Sequence, residues 1–222
     1  MTIEINKSWR AKSWSFSAIS QYEACPWQYY LSRAEKMQSE PGYALVNGIK
    51  IHSLFEEHLN GNVHGIPPEL SKFANEMRAL KRHGAIAEEA IVLDRLWNPI
   101  ESENPWSDRS AWIRAKIDAR IGNLVVDIKT GKSYPKYREQ GELYATMLFQ
   151  AYPEIGDEIC TEFWYTKTGE VESFTFKKSD HEDTLNRWDK RASKLMLEKN
   201  WLPKKNWACR FCHVQHECEL FA

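Results

Sequence analysis

Apolar and polar residues alternate most regularly between residues 113 and 129, where two period-two runs meet at Gly122-Asn123. In the first run Ile113, Ala115, Ile117, Ala119 and Ile121 fall on one side, and Arg114, Lys116, Asp118 and Arg120 on the other. In the second, Leu124, Val126 and Ile128 alternate with Val125, Asp127 and Lys129. Two such runs joined by a two-residue Gly-Asn connection predict a β-hairpin. Counting outward from Ile121 and Leu124 sets Asp118 opposite Asp127, with Lys129 one pleat further along the same face.

Helical signals lie on either side of this hairpin. Ser15 or Ser17 caps a first helix, Cys25-Pro26 interrupts it, and Pro26 suits the first turn of a second piece that runs to about residue 34. A helix over residues 43–59 places Gly48, His52 and Glu56 on one face. Residues 69–83 read as a polar helix and 85–96 as a strand, with Glu88 and Glu89 at its entrance as edge-solvated acids or candidates for a metal site. After the hairpin, a helix over 136–152 puts Gln140 and Tyr144 one turn apart. Strands at 158–166 and 170–177 flank Thr168-Gly169, and a last helix covers 180–199. Helices, three strands, a helix, two strands and a helix predict an α/β layer, a mixed sheet with helices on both sides.

A chain of 222 residues can bury a substantial core as one domain. That domain divides into a helical N-terminal part (15–84), a core (85–178) and a C-terminal helix with a cysteine cluster (179–222). The ten tryptophans are read mainly as packing residues. A net charge of −1 excludes a uniformly basic surface, so any nucleic-acid contact has to be local. The ten Lys/Arg against five Asp/Glu between Lys177 and Arg210 form one such region, or else a solvated helix. No apolar run reaches membrane-spanning length and the first residues lack a signal segment, so a cytoplasmic protein without a membrane partner is expected. No G-x4-G-K-S/T phosphate loop is present, so the chain is expected to supply no ATP-driven unwinding itself.

Facing carboxylates repel at the roughly 5 Å separation of cross-strand neighbours unless a cation lies between them. Hard oxygen donors suit Mg²⁺ or Mn²⁺, which lowers the pKa of a bound water, while a fixed lysine offsets charge growing on a phosphate. The other reading of Asp127-x-Lys129 is a solvated hairpin face. Cys209, Cys212 and Cys218 form a C-x2-C-x5-C cluster that points to metal. His213 or His216 could complete a local zinc site; Cys25, followed by Pro26, could instead supply the fourth thiolate of an iron–sulfur cluster. Cys160, inside a strand pattern, is read as a small buried residue.

Cys25-Pro26, Gly48-x3-His52, Asp118, Asp127-x-Lys129-Thr130-Gly131, Gln140-x3-Tyr144 and the terminal cysteines together resemble the RecB-like nucleases of the PD-(D/E)XK superfamily. Within it they look most like the iron–sulfur branch, which holds the CRISPR-associated RecB-like exonucleases and the nuclease domain of AddB-type helicase–nuclease subunits. The likeness spans residues 15–218. It implies a restriction-endonuclease-like core with a mixed central sheet flanked by helices, and a helical N-terminal part clamped to the C-terminus by a metal cluster. It further implies His52, Asp118, Asp127 and the Ile128 carbonyl as metal ligands, Lys129 orienting the attacking water, and Gln140 and Tyr144 supporting the site and the DNA backbone. Cys25, Cys209, Cys212 and Cys218 would hold a structural 4Fe-4S cluster. The activity so implied is a metal-dependent exonuclease preferring single-stranded DNA ends, in recombination, repair, or phage or CRISPR DNA processing. A helicase or a recombination or CRISPR adaptation partner would do any unwinding. The alternative is an inactive DNA-binding or assembly subunit of the same fold. Asp127 stands where relatives often carry Glu, one methylene longer.

Overall fold

The computed structural model describes residues 5–221. It resolves into two compact units, Pro41–Leu185 and a smaller one that joins the segment up to Glu40 to the segment from Asn186 onward.

The larger unit is an α/β fold on a five-stranded mixed sheet. Its strands are β1 (Ile86–Leu93), β2 (Ile113–Ile121), β3 (Leu124–Lys129), β4 (Glu158–Tyr165) and β5 (Glu170–Lys177), hydrogen-bonded in sequence order. Three junctions are antiparallel, and β3 and β4 are parallel. The parallel pair is joined by the sixteen-residue helix Lys136–Ala151, as such a crossover requires. The hairpin turn has Gly122 at φ +54°, the left-handed conformation that a primed turn needs at its first central residue, and this fixes the register Ile121↔Leu124.

Counting helices along the chain, α1 is Phe16–Ala24, α2 Pro26–Arg33, α3 Tyr43–Leu59, α4 Ala74–Arg82, α5 Lys136–Ala151 and α6 His181–Leu197. The polar helix read at 69–83 is in fact a 3-10 turn, Pro68–Phe73, followed by α4. The prolines at 67 and 68 lack amide protons and favour the tighter start. Strand β1 stops at Leu93, short of residue 96, because the Asp94 side chain accepts the amide protons of Leu96 and Asn98 and folds the chain into a turn.

Two helices cover opposite faces of the sheet. On one, Ile51, Phe55 and Leu59 of α3, with Leu70, Phe73, Met77 and Leu80, bury Ala119, Val126, Ile128 and Trp164. Phe73 stacks on Trp164 at 4.9 Å. The other face receives α5, where a Cβ built on Gly141 would sit 2.4 Å from Thr161 Oγ1 and 3.2 Å from Phe176. Thr161 and Phe176 lie on β4 and β5, so this glycine sets how closely α5 lies on the sheet. Gly141→Ala should lower stability by about 1–3 kcal/mol through overpacking. Chemical denaturation would measure it, and Thr161→Ala in the same chain should recover part of the loss.

The smaller unit is built on aromatics. Trp9, Tyr22, Tyr29, Tyr30 and Trp201 are in mutual ring contact, Trp14 stacks on Trp188, and Arg191 makes a two-pronged ion pair with Glu23. Ser15 is the cap of α1, accepting the Ala18 amide, and Cys25 is the extended junction before Pro26 opens α2. Among the described residues no helix is long and apolar enough to cross a membrane.

Candidate active site

Asp118 and Asp127 enter the site from neighbouring strands, but not as a flat cross-strand pair. The β2–β3 pairs run Ile121↔Leu124, Arg120↔Val125 and Ala119↔Val126; one step further the carboxylate of Asp118 takes over, accepting the Ile128 amide proton at 2.7 Å on Oδ2. Its Oδ1 lies 2.9 Å from His52 Nδ1 on α3. Burial, and next the charge of Asp127, raise the pKa of Asp118. For His52 burial works downward, yet the hydrogen bond and charge of Asp118 and the charge of Asp127 outweigh it, and its pKa is raised. The same excess of negative charge that draws a proton to the imidazole also draws a cation.

Asp127 is held from the other side of the sheet. Its Oδ2 accepts hydrogen bonds from the Tyr144 hydroxyl at 2.9 Å and from Gln140 Nε2 at 3.2 Å, both on α5, and its Oδ1 lies 2.5 Å from Lys129 Nζ. Gln140 also accepts from Lys129 at 3.0 Å and donates to Tyr144 at 2.7 Å. The ammonium of Lys129 sits 4.5 Å from the ring centre of Tyr137 and 5.3 Å from that of Phe163, a box that fixes a flexible side chain. Burial, then the charges of Asp127 and Asp118, push the Tyr144 phenol far up, so it stays a donor.

The structure therefore brings Asp118, Asp127, Lys129, Gln140 and Tyr144 into one connected set around the end of β3. It gathers the candidate ligands differently from the expected grouping. Among the described residues, His52, Glu88 and Asp118 form the set of three whose donor atoms all lie within 4.8 Å of one another; Asp127 is engaged by Lys129, Gln140 and Tyr144 instead. The imidazole and two carboxylates, one buried and two half-buried, suit a hard or borderline divalent ion.

Glu88 is the residue that sequence reasoning left loose, and two features place it. The register Ala87↔Ala119 and Glu89↔Ile117 sets it opposite Asp118. Its backbone is left-handed, φ +51°, an uncommon conformation for a residue with a side chain. Strict alternation would send Glu88 and Glu89 to opposite faces. Both instead engage one face of β2, Glu88 pairing with Lys116 and Glu89 with Arg120. Glu89 also accepts the Tyr152 hydroxyl proton, so it is a structural anchor. An open cleft of ≈ 580 Å³ leads to the ligand group, lined by Leu45, Ile49, His52, Glu56, Glu88, Lys116, Asp118 and Thr130 among others.

Four of the five cysteines lie in the smaller unit. Cys25, Cys209, Cys212 and Cys218 line one pocket. Amide protons point at two of the sulfurs, Lys204 at Cys25 and Asn206 at Cys209, 3.4 and 3.2 Å away. Burial, and after it the neighbouring cysteine sulfurs, raise the pKa of the Cys212 thiol against a backbone hydrogen bond at Val214 that lowers it. Cys160, expected to be buried, is half-buried on β4, with its sulfur 3.2 Å from Ser173 Oγ on β5, a polar contact near the surface. His213 turns to Ser32 Oγ and the Met37 carbonyl.

A five-stranded mixed sheet with an acid cleft on one side and an Asp-x-Lys strand beside it is the frame of a metal-dependent nuclease. The family model for the PD-(D/E)XK nuclease superfamily matches residues 13–219, and the chain belongs to that superfamily. No curated protein matches it in sequence. Two solved structures share the fold. SSO0001 has 14% identity and a TM-score of 0.53, over 97% of this chain and 89% of that one. A protein from Eubacterium rectale that carries the provisional name of exonuclease has 14% identity and a TM-score of 0.54, over 95% of this chain and 88% of its own.

Proposed function

We propose that the chain is a divalent-metal-dependent deoxyribonuclease of the RecB-like iron–sulfur branch, acting as an exonuclease on single-stranded DNA ends. The observation that carries this reading is the convergence of two charge systems on the end of β3: the His52, Glu88 and Asp118 donors, and the Asp127–Lys129–Gln140–Tyr144 network. Bound Mg²⁺ or Mn²⁺ would supply a water of lowered pKa and offset charge on the phosphate. His52, Glu88 and Asp118 hold the ion, joined by Asp127 and the Ile128 carbonyl as the family resemblance implies. Lys129 orients the attacking water and faces the phosphate. Gln140 and Tyr144 hold Asp127 and Lys129 in place, and the α5 N-terminus borders the DNA backbone. Unwinding falls to a helicase or a recombination or CRISPR adaptation partner, since the chain lacks a nucleotide-binding loop.

In the same reading Cys25, Cys209, Cys212 and Cys218 carry a structural 4Fe-4S cluster. Thiolates on a single zinc stand about 3.8 Å apart, given 2.3 Å bonds in a tetrahedron. Among the described residues no three cysteine sulfurs fall within 4.8 Å of one another, so the cluster reading rests on the family resemblance and on the one pocket that all four cysteines line. Amide protons aimed at Cys25 and Cys209 suit thiolate ligands. The single domain expected from length is retained here as a functional proposal, in which the cluster ties the N-terminal helices to the C-terminal segment.

The test is degradation of an end-labelled single strand in Mg²⁺ and Mn²⁺ by wild type and Glu88→Gln. Wild type should shorten the strand from its end, and the variant should lose about 10²-fold or more. Equal activity of the two overturns the ligand assignment. Metal-independent binding with no cleavage by either points to the DNA-binding or assembly subunit.

A further inference from the structure

The first turns of α3 carry large apolar side chains in water beside the cleft. Leu45 is 57% exposed and Ile49 62%, and both line it. Residues 45, 49, 52 and 56 fall at i, i+4, i+7 and i+11, so Leu45 and Ile49 share a helix face with His52 and Glu56. At 1.5 Å per residue the ridge starts roughly 4.5 Å along the axis from His52 and extends to roughly 10 Å. From His52 to the far end of the ridge that is up to about three nucleotides at the 3.4 Å rise of a stacked strand, of which the ridge itself spans about two, and fewer when the bases are unstacked.

The charge around the ridge tells what it contacts. The charged side chains of the cleft besides His52 are Glu56, Glu88, Asp118 and Lys116, and Lys116 is paired with Glu88. Three acids against one committed lysine give a phosphate backbone little to hold beyond the ion. Apolar side chains instead suit the faces and edges of bases, where aliphatic residues wedge into a stack without reading sequence. We propose that Leu45 and Ile49 form a base-contact ridge, which grips the two or three nucleotides beside the scissile phosphate through unpaired bases, and so makes the site select single strands irrespective of sequence.

This rests on the nuclease reading above and extends it to the nucleobases. A continuous duplex turns its sugar–phosphate rails outward and keeps its base faces stacked, so the ridge has nothing to grip there. An end with splayed bases presents them directly. The same two residues therefore favour ends over interiors without a separate recognition element.

The experiment pairs a substrate change with a protein change. One labelled single strand has normal bases; another has stable abasic residues at its three terminal nucleotides, with the same phosphates. For wild type the abasic strand should show about tenfold higher KM, and about tenfold weaker binding in Ca²⁺ by fluorescence anisotropy. In Leu45→Ser/Ile49→Ser the two strands should become equivalent within about twofold, and Leu45→Met/Ile49→Met should restore the discrimination. Because both positions are exposed, the serine variant should keep the wild-type melting temperature. A wild type indifferent to the abasic change, or a serine variant that still discriminates, overturns the proposal. So does a drop in the wild-type mass by size-exclusion chromatography on serine substitution, which would make the ridge a contact between copies. Failure of the nuclease reading looks different: neither strand is hydrolysed by wild type, while the anisotropy comparison still reports on the ridge.

Discussion

Replacement of Lys129 by Met should lower kcat for phosphodiester hydrolysis by about 10³-fold and leave KM for the strand within a few fold. The ammonium is fixed by three independent restraints: the Asp127 carboxylate at 2.5 Å, the Gln140 carbonyl at 3.0 Å and the faces of Tyr137 and Phe163. Such restraint sacrifices side-chain freedom and makes sense only if the cation is needed at one point. Charge on the phosphate grows toward the transition state, so the loss belongs in kcat. Met keeps the length and fills the aromatic box, which limits collapse. It does leave the buried Asp127 without its cation, and the melting temperature should fall as well. Assays well below that temperature separate the two effects. Wild-type kcat in the folded Met variant would remove Lys129 from the chemistry.

Cys25→Ser should be the most destabilising single change in the chain. Cys25 lies 184 positions before Cys209 (209 − 25), yet the two line one pocket. If they share a cluster, binding free energy is folding free energy, on the scale of about 10 kcal/mol for structural metal sites. Protein purified without oxygen should be brown in wild type and pale, iron-poor and poorly soluble as Cys25→Ser. Local contacts across the same junction, Asn206 to the Ala24 carbonyl and Trp27 to the Glu217 carbonyl, are worth about 1 kcal/mol each and cannot compensate. A Cys25→Ser protein with normal iron content and stability would show the cluster lies elsewhere. Colourless, zinc-loaded wild type would replace it with zinc.

The hairpin, the five strands and the α/β order were legible because strand alternation and turn chemistry are local. Register followed from the Gly-Asn turn alone. What happened beyond the third rung did not: whether Asp118 would face Asp127 or cap the Ile128 amide depends on how the strands diverge, a tertiary matter. Glu88 was hidden for the same reason. In the sequence it is one of two adjacent acids at a strand start, and a period-two pattern assigns them opposite faces. Only the left-handed backbone at Glu88, stabilised by neighbouring pairs, overrides the alternation. His52 was legible as a helix-face residue, but its partner 66 positions away was not. The broken helix near residue 73 was missed because adjacent prolines permit either helix form at a first turn.

Asp118 spends one carboxylate oxygen as a rung of the sheet and the other on His52. Its loss would leave the Ile128 amide buried without an acceptor, whereas Glu88 and Lys129 carry no such backbone duty. Descendants of this gene drifting away from catalysis would thus shed Glu88 with less harm to folding than Asp118, and keep an aspartate at 118 long after the chemistry had gone. Retention of that one acid in a relative is accordingly a poor guide to activity, and the state of its strand neighbours a better one.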